Sequence, residues 1–344
     1  MRKIPILFFL VLFMFAGLAG CHRQQPHVKL SGIKVNIGIK RFEQDLFTLS
    51  ADSLEESLPV LMDKYGMFVS RFGQVIHIGT PDDPEFVNNL RRFTKDTLMR
   101  EVYEKVLQVF PNTSTLEKTF EKSFRFYRYY FPEKEVPEII TCMTGFNVSL
   151  LLDEGFLGIS LDRYLGSEAG YYDQLGIPHY MQRKMVPEKI PSDCFYDIGQ
   201  TEFPFFPPPE DSIKVRKNVI NQMIYEGKLL YFLRSMMPRE KEEILLGFTS
   251  DQLKWCRMNE GRMWAYLIEN NLLFSTDYLT INKLTRDAPF TSFFPQESPG
   301  KAANWIGWQI VKDYMSSHSQ VTLKELMNNY NYQEILDESG YSPE

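Results

Sequence analysis

Apolar residues recur at helical spacing through most of this chain. The stretch where they do not, residues 136–161, decides what the chain can fold into. Val136–Met143, Phe146–Leu152 and Phe156–Leu161 are short runs rich in β-branched and aromatic residues. Thr144-Gly145 parts the first two. Asp153-Glu154-Gly155 parts the last two, and an acidic pair ending in glycine is the chemistry of a tight hairpin. A small β-sheet set between two helical halves is therefore predicted. The fold class that follows is α+β, mainly helical, in a single domain. Aromatic residues at 14% supply a large core, and no stretch reads as an interdomain linker.

Ahead of the sheet, Ile33–Ile39 alternates weakly and reads as a strand feeding Arg41–Leu49. Asp52–Phe72 carries Leu54, Leu58, Leu61, Tyr65 and Val69 at helical spacing and reads as one helix. Asp83–Phe93, Thr94–Phe110 and Ser114–Phe131 follow, the last two stopped by Pro111 and Pro132. Beyond the sheet, Ile177–Met185 and Ile190–Glu202 read as short helices. Phe203–Glu210 is an aromatic and proline-rich loop, apolar enough to pack down. Asp211 or Ser212 is placed to cap a helix that ends before Pro238. Within it, Glu226 falls three after Met223 and four before Leu230, on the edge of the buried face. Gly227 beside it marks close packing. Further helices are expected from Ser250 through Trp255 and Trp264 to Asn270, and from Ala302 to His318. Thr322–Glu325 has capping-box form, and Tyr332–Ser339 ends at Gly340.

The N-terminus carries a different kind of signal. Arg2 and Lys3 precede an apolar run, Ile6–Ala16, and Leu18-Ala19-Gly20-Cys21 has the form of a lipobox. Residues 1–20 are expected to be a lipoprotein signal peptide, 21–30 a tether and 31–344 the folded domain; an uncleaved signal anchor is the alternative. The Cys21 thiol would take diacylglycerol, with an acyl chain such as palmitate on its amine. Each buried methylene then contributes about 0.8 kcal/mol of membrane affinity. Removing Arg2 and Lys3, with no acid lost, moves the net charge from −6 to −8. That acidity argues against nucleic acid and against docking on anionic lipid. His22, where an Asp would favour inner-membrane retention, leans the placement towards the outer membrane. Cys142, Cys194 and Cys256 have no metal-ligand spacing and are expected to be buried apolar residues.

The residues expected of an enzyme are missing. A helix, a small sheet and then Tyr225-Glu226-Gly227-Lys228 is an order similar to that of zinc metalloproteases. There two histidines four apart bind zinc and a later glutamate completes the set. The five histidines, His22, His27, His77, His179 and His318, include no such pair. Tyr196-Asp197-Ile198-Gly199-Gln200 has only the outline of that motif, and chance is an equal explanation of it. Glu226 reads first as a satisfied structural carboxylate, and otherwise as a partner contact or a ligand. Ser298 is not in a nucleophile elbow. Asp153 and Glu154 read as a solvated turn, and Trp305 and Trp308 as packing instead of a sugar platform.

The chain resembles the GldB family of Bacteroidetes gliding-motility lipoproteins. The resemblance runs from the lipobox through Ile33–Phe47 and Met223–Phe232. Its most specific part is Glu297-Ser298-Pro299-Gly300 with Trp305-Ile306-Gly307-Trp308-Gln309-Ile310-Val311, and it closes at Ser339-Gly340-Tyr341-Ser342-Pro343. It implies a zincin-like domain that has lost its metal ligands, in an outer-membrane-associated lipoprotein linked to surface motility and protein secretion. No catalytic residue, metal or cofactor is carried over. The expectation is a non-catalytic binding or assembly component of an envelope machine. Glu226 and Asp197 would contact a partner near a groove beside the short strands. A zinc-dependent metallopeptidase with unusual ligands and a glycan- or peptidoglycan-binding lipoprotein are the alternatives.

Overall fold

A computed structural model of the chain describes residues 28–50, 53–209 and 214–343. Cys21, the lipobox, the signal segment, Asp52 and the proposed caps Asp211 and Ser212 lie outside the described residues. The chain divides into Met1–Ile33 and Lys34–Glu344, and the second unit holds every helix and strand among the described residues.

That unit opens with β1 (Ile39–Arg41), followed by α1 (Phe42–Thr48), α2 (Leu54–Tyr65), α3 (Met67–Val75), α4 (Phe86–Lys95), α5 (Thr97–Val109) and α6 (Ser114–Tyr130). The one helix expected over Asp52–Phe72 is two. Gly66 breaks it with φ 55° and ψ −132°, a backbone that L side chains avoid, while the apolar spacing continues across the break. The stripe of α6 is as expected, with Leu116, Phe120, Phe124 and Tyr127 buried. Phe124 meets Phe195 at 4.7 Å between ring centroids, tying this half to the helices after the sheet.

The sheet adds β2 (Glu138–Cys142), β3 (Leu150–Asp153) and β4 (Phe156–Ser160), in the order β1-β2-β4-β3. β3 and β4 form the expected hairpin, Asp153 opposite Phe156, with Gly155 at φ 85° in the turn. β1–β2 and β2–β4 are parallel. The strand expected over Ile33–Ile39 is displaced: only Ile39–Arg41 reach β2, where Ile39 pairs with Ile139. Alternation made the earlier residues look like a strand, but only residues with a neighbour to bond become one. The outer N–H of Ile39 is taken by Glu117 Oε1 of α6 (3.2 Å), so the β1 edge is capped and β3 is the edge left over.

After the sheet come α7 (Tyr171–Gln174), α8 (His179–Gln182), α9 (Ile190–Glu202) and α10 (Val219–Met236). The last starts later than expected, with the Asn218 side chain accepting from Asn221 N. Nor does α10 have a single buried face. It is enclosed on all sides, Glu226 and Lys228 included. α11 (Glu242–Leu246), α12 (Ser250–Met258), α13 (Glu260–Glu269) and α14 (Tyr278–Thr285) lead to α15 (Ala302–Ser317), α16 (Leu323–Asn328) and α17 (Tyr332–Ser339). The helix expected from Ser250 to Asn270 is divided at Asn259. Thr322 with Glu325 forms the expected capping box, and Gly340 is left-handed at the end of α17.

The α10–α15 crossing fixes the second half. A Cβ on Gly227 would stand 2.2 Å from the Gly307 carbonyl oxygen, and one on Gly307 would stand 1.8 Å from that of Met223. Only two bare backbones come this close. Cys142, Cys194 and Cys256 are buried and unpaired, as expected, and burial pushes their thiols up, away from the reactive thiolate. Among the described residues no helix is long and apolar enough to cross a membrane.

Candidate functional site

Glu226 lies midway along α10, where the helix is closed in by α9, α14 and α15, and its exposure is 5%. A carboxylate so placed needs partners, and two side chains supply them. The Tyr196 hydroxyl on α9 donates to Oε2 at 2.6 Å, and Gln222 Nε2, one turn earlier on α10, donates to Oε1 at 3.0 Å. Gln200 Nε2, one turn after Tyr196, reaches the same hydroxyl at 3.4 Å. Burial pushes the Glu226 carboxyl up; the Tyr196 bond, Lys301, Gln222 and Arg286 pull it back in part, and it stays above its ordinary value. Burial and the neighbouring Glu226 likewise push the Tyr196 hydroxyl up, so it remains a donor.

Tyr196, Gln200 and Glu226 line a cavity of about 290 Å³. Its apolar wall includes Leu230, Leu245, Leu246 and Phe248. Ser149, the residue before β3, and Arg163 and Tyr164, just after β4, bring the end of the sheet to it. Charged side chains join the lining from several elements. Lys184 and Lys189 come from the turns before α9, Asp193 from α9, Arg286 and Asp287 from the end of α14, and Lys301 from the start of α15.

The charges are not evenly matched. Lys189 Nζ bonds Ser192 Oγ and Asp193 Oδ1, each at 2.9 Å. Lys184 and Lys301 share one oxygen, Asp287 Oδ1, at 2.8 and 3.2 Å. Burial pushes the Asp287 carboxyl up, but Lys301 and Lys184 outweigh it and hold it well below its ordinary range. Burial and the nearby Lys301 pull the Lys184 ammonium down.

Lys301 is held by its loop. Gly300 packs so closely that a Cβ on it would stand 2.1 Å from the Ala288 carbonyl oxygen. Thr291 Oγ1 donates to the Pro299 carbonyl (2.7 Å) and accepts from Ala302 N (2.9 Å). Lys301 is left with φ 56° and ψ 33°, a left-handed backbone uncommon for a residue with a side chain.

Of the residues picked out from the sequence, Tyr196, Gln200 and Glu226 come together. Asp197 does not join them: it is absent from the cavity lining, and burial and Asp193 raise its carboxyl. The α-helical repeat explains the separation, since Tyr196 and Gln200 share a face and the residue after Tyr196 is turned about 100° away. Tyrosine, glutamine and one glutamate do not make a zinc ligand set. Among the described residues no three His, Cys, Asp or Glu side chains are grouped to hold a metal ion. Trp305 and Trp308 are 3% and 1% exposed, so neither offers a flat face to a sugar. Ser298 is buried, its Oγ accepting from Thr291 N at 3.2 Å, and Glu154 is exposed in its turn. The cavity's cations were not singled out in the sequence: they are spread from Arg163 to Lys301 with no shared spacing. The one signal was that Lys301 directly follows the family-like Glu297–Gly300 run.

No curated protein and no solved structure matches this chain. The model of a family described as gliding motility protein GldB matches residues 23–343, the whole folded unit but for its last residue, and the chain belongs to that family.

Proposed function

We propose that this protein is a lipid-anchored, non-catalytic binding component of a cell-envelope motility or secretion machine. It would be tethered through Cys21, most simply to the outer membrane. The observation that carries the reading is the Tyr196–Glu226 pair. Side chains from the two segments that resemble a zincin metal site meet in one cavity, but they bond to each other and lack the imidazoles that hold zinc. A degenerate zincin-like site of this kind keeps its cleft and changes its use from cutting to holding.

The partner side of the reading rests on β3. Ser160 N bonds Ser149 O at 2.9 Å, which in an antiparallel ladder turns the N–H groups of Leu150 and Leu152 to the outer side. A partner segment adding there would run into the cavity at Ser149.

Capture of partners from cross-linked envelopes tests this. Leu152→Pro, which removes an outward N–H, and Glu226→Ala should each drop at least one partner that a Cys21-anchored wild type recovers. An unchanged partner set in both variants would sink the docking role. Stoichiometric zinc that is lost on Glu226→Ala, together with peptide hydrolysis by the purified protein, would overturn the non-catalytic reading.

A further inference from the structure

The cavity carries more positive charge than it needs. Arg163, Lys184, Lys189, Arg286 and Lys301 line it against three carboxylates, Asp193, Glu226 and Asp287. The excess is local, because the chain as a whole is acidic at −6. It is only partly relieved within the protein. Lys189 has Asp193, but one Asp287 oxygen serves both Lys184 and Lys301. Glu226 hydrogen-bonds Tyr196 and Gln222 and meets Lys301 and Arg286 only through longer-range attraction, and no carboxylate among the described residues forms an ion pair with Arg286.

Cations gathered in a partly enclosed site repel one another and lose hydration, and an oxyanion set among them relieves both costs. The same lining also holds hydrocarbon: Leu230, Leu245, Leu246 and Phe248. Lys301 is fixed in its left-handed backbone by the packed loop behind it. Charge and hydrocarbon together, lining about 290 Å³, suit a ligand no larger than one capped amino acid.

We infer that this cavity is an oxyanion-binding site, taking a carboxylate or phosphate among Lys184, Arg286 and Lys301 and the apolar body that bears it against Leu230, Leu245 and Phe248. The inference deepens the binding role above and rests on it for biological meaning, but it names its own ligand chemistry. Arg286 is the most exposed of the three cations and is the arm that meets the ligand first.

Calorimetric titration of the full chain at low salt, with four small probes, tests it. N-acetyl-leucine and butyl phosphate present the acid on an apolar body. N-acetyl-leucine amide has the body without the charge, and inorganic phosphate has the charge without the body. At least one of the first two should bind, at least tenfold tighter than the amide and than inorganic phosphate, and whichever binds tighter names the source. Arg286→Ala, at an exposed position, and Lys301→Gly, which suits the left-handed backbone, should each weaken that binding at least tenfold while the melting temperature holds. No binding of either acid, or equal binding of the amide, would overturn the site. Equal binding of inorganic phosphate would overturn the apolar wall's role. Partner capture through β3 can survive any of these failures, so the two readings fail separately.

Discussion

Two residues apart on α10, Glu226 and Lys228 are both buried, and the protein treats them in opposite ways. Lys228 points into a closed cage. Its Nζ donates to the Asn329 carbonyl at 2.7 Å and sits 5.4 and 5.2 Å from the ring centres of Tyr330 and Tyr332, with no carboxylate among the described residues in an ion pair with it. Burial pulls its ammonium down to about 7. Glu226 points into a cavity that other charged groups share. The contrast separates a polar group closed off by packing from one that leaves room for a ligand. A buried charge alone does not mark a function; a buried charge beside empty space lined by unmatched partners does.

The largest expected effect breaks both sides at once. Gly307→Ala places a methyl 1.8 Å from the Met223 carbonyl oxygen, where no flexible side chain can give way. The helices must separate, at a cost of about 3 kcal/mol or more in urea unfolding. If stability holds, the crossing is not what fixes α10.

A pH comparison sharpens the Lys228 side. An unfolded lysine titrates near 10.4 and the folded one at about 7. Between those values the unfolded chain binds more protons, so stability should rise with pH. Wild type should gain up to roughly 2 kcal/mol from pH 7 to 9, and Lys228→Met should lose that gain. Equal slopes in the two proteins would show that the ring cage keeps the ammonium charged.

The Glu226 side has the reverse sign. A carboxyl raised in the folded state favours protonation there, so its contribution falls as pH rises from its ordinary value through the raised one. Glu226→Gln keeps an oxygen for Tyr196 and, once the Gln222 amide turns over, lets its own amide donate to Gln222 Oε1, which has no partner among the described residues. That variant should be stabilised by about 1 kcal/mol at pH 7 and unchanged near pH 4. Glu226→Leu strands the Tyr196 hydroxyl and should lose about 1–3 kcal/mol. The smallest stability effect is expected for Lys301→Gly, within about 0.5 kcal/mol, although oxyanion binding should weaken at least tenfold.

What could be read from the sequence was whatever a single element decides. The α6 stripe with Pro132 as its stop, the β3–β4 hairpin with Gly155, and the Thr322 capping box all follow from residues within one or two turns of each other. What could not be read depends on long-range neighbours or on backbone angle. Apolar spacing runs straight over Gly66, and nothing in it reports a left-handed φ. The lateness of β1 is set by where β2 lies. The site divides the same way. Tyr196 and Gln200 stand four apart on one helix and Glu226 stands beside Gly227, spacings that a single element displays. The cations around them arrive singly, from turns and helix ends, and turns carry no periodicity to betray them.

The parallel pairing of Ile39 with Ile139 also sets a timetable. β1 lies about 100 residues ahead of β2, so it stands free for a time before its neighbour can reach it. A long apolar strand idle for that time invites the wrong companion. This one is three residues long and two of them are Lys40 and Arg41, a segment too short and too charged to adhere elsewhere before its proper partner arrives.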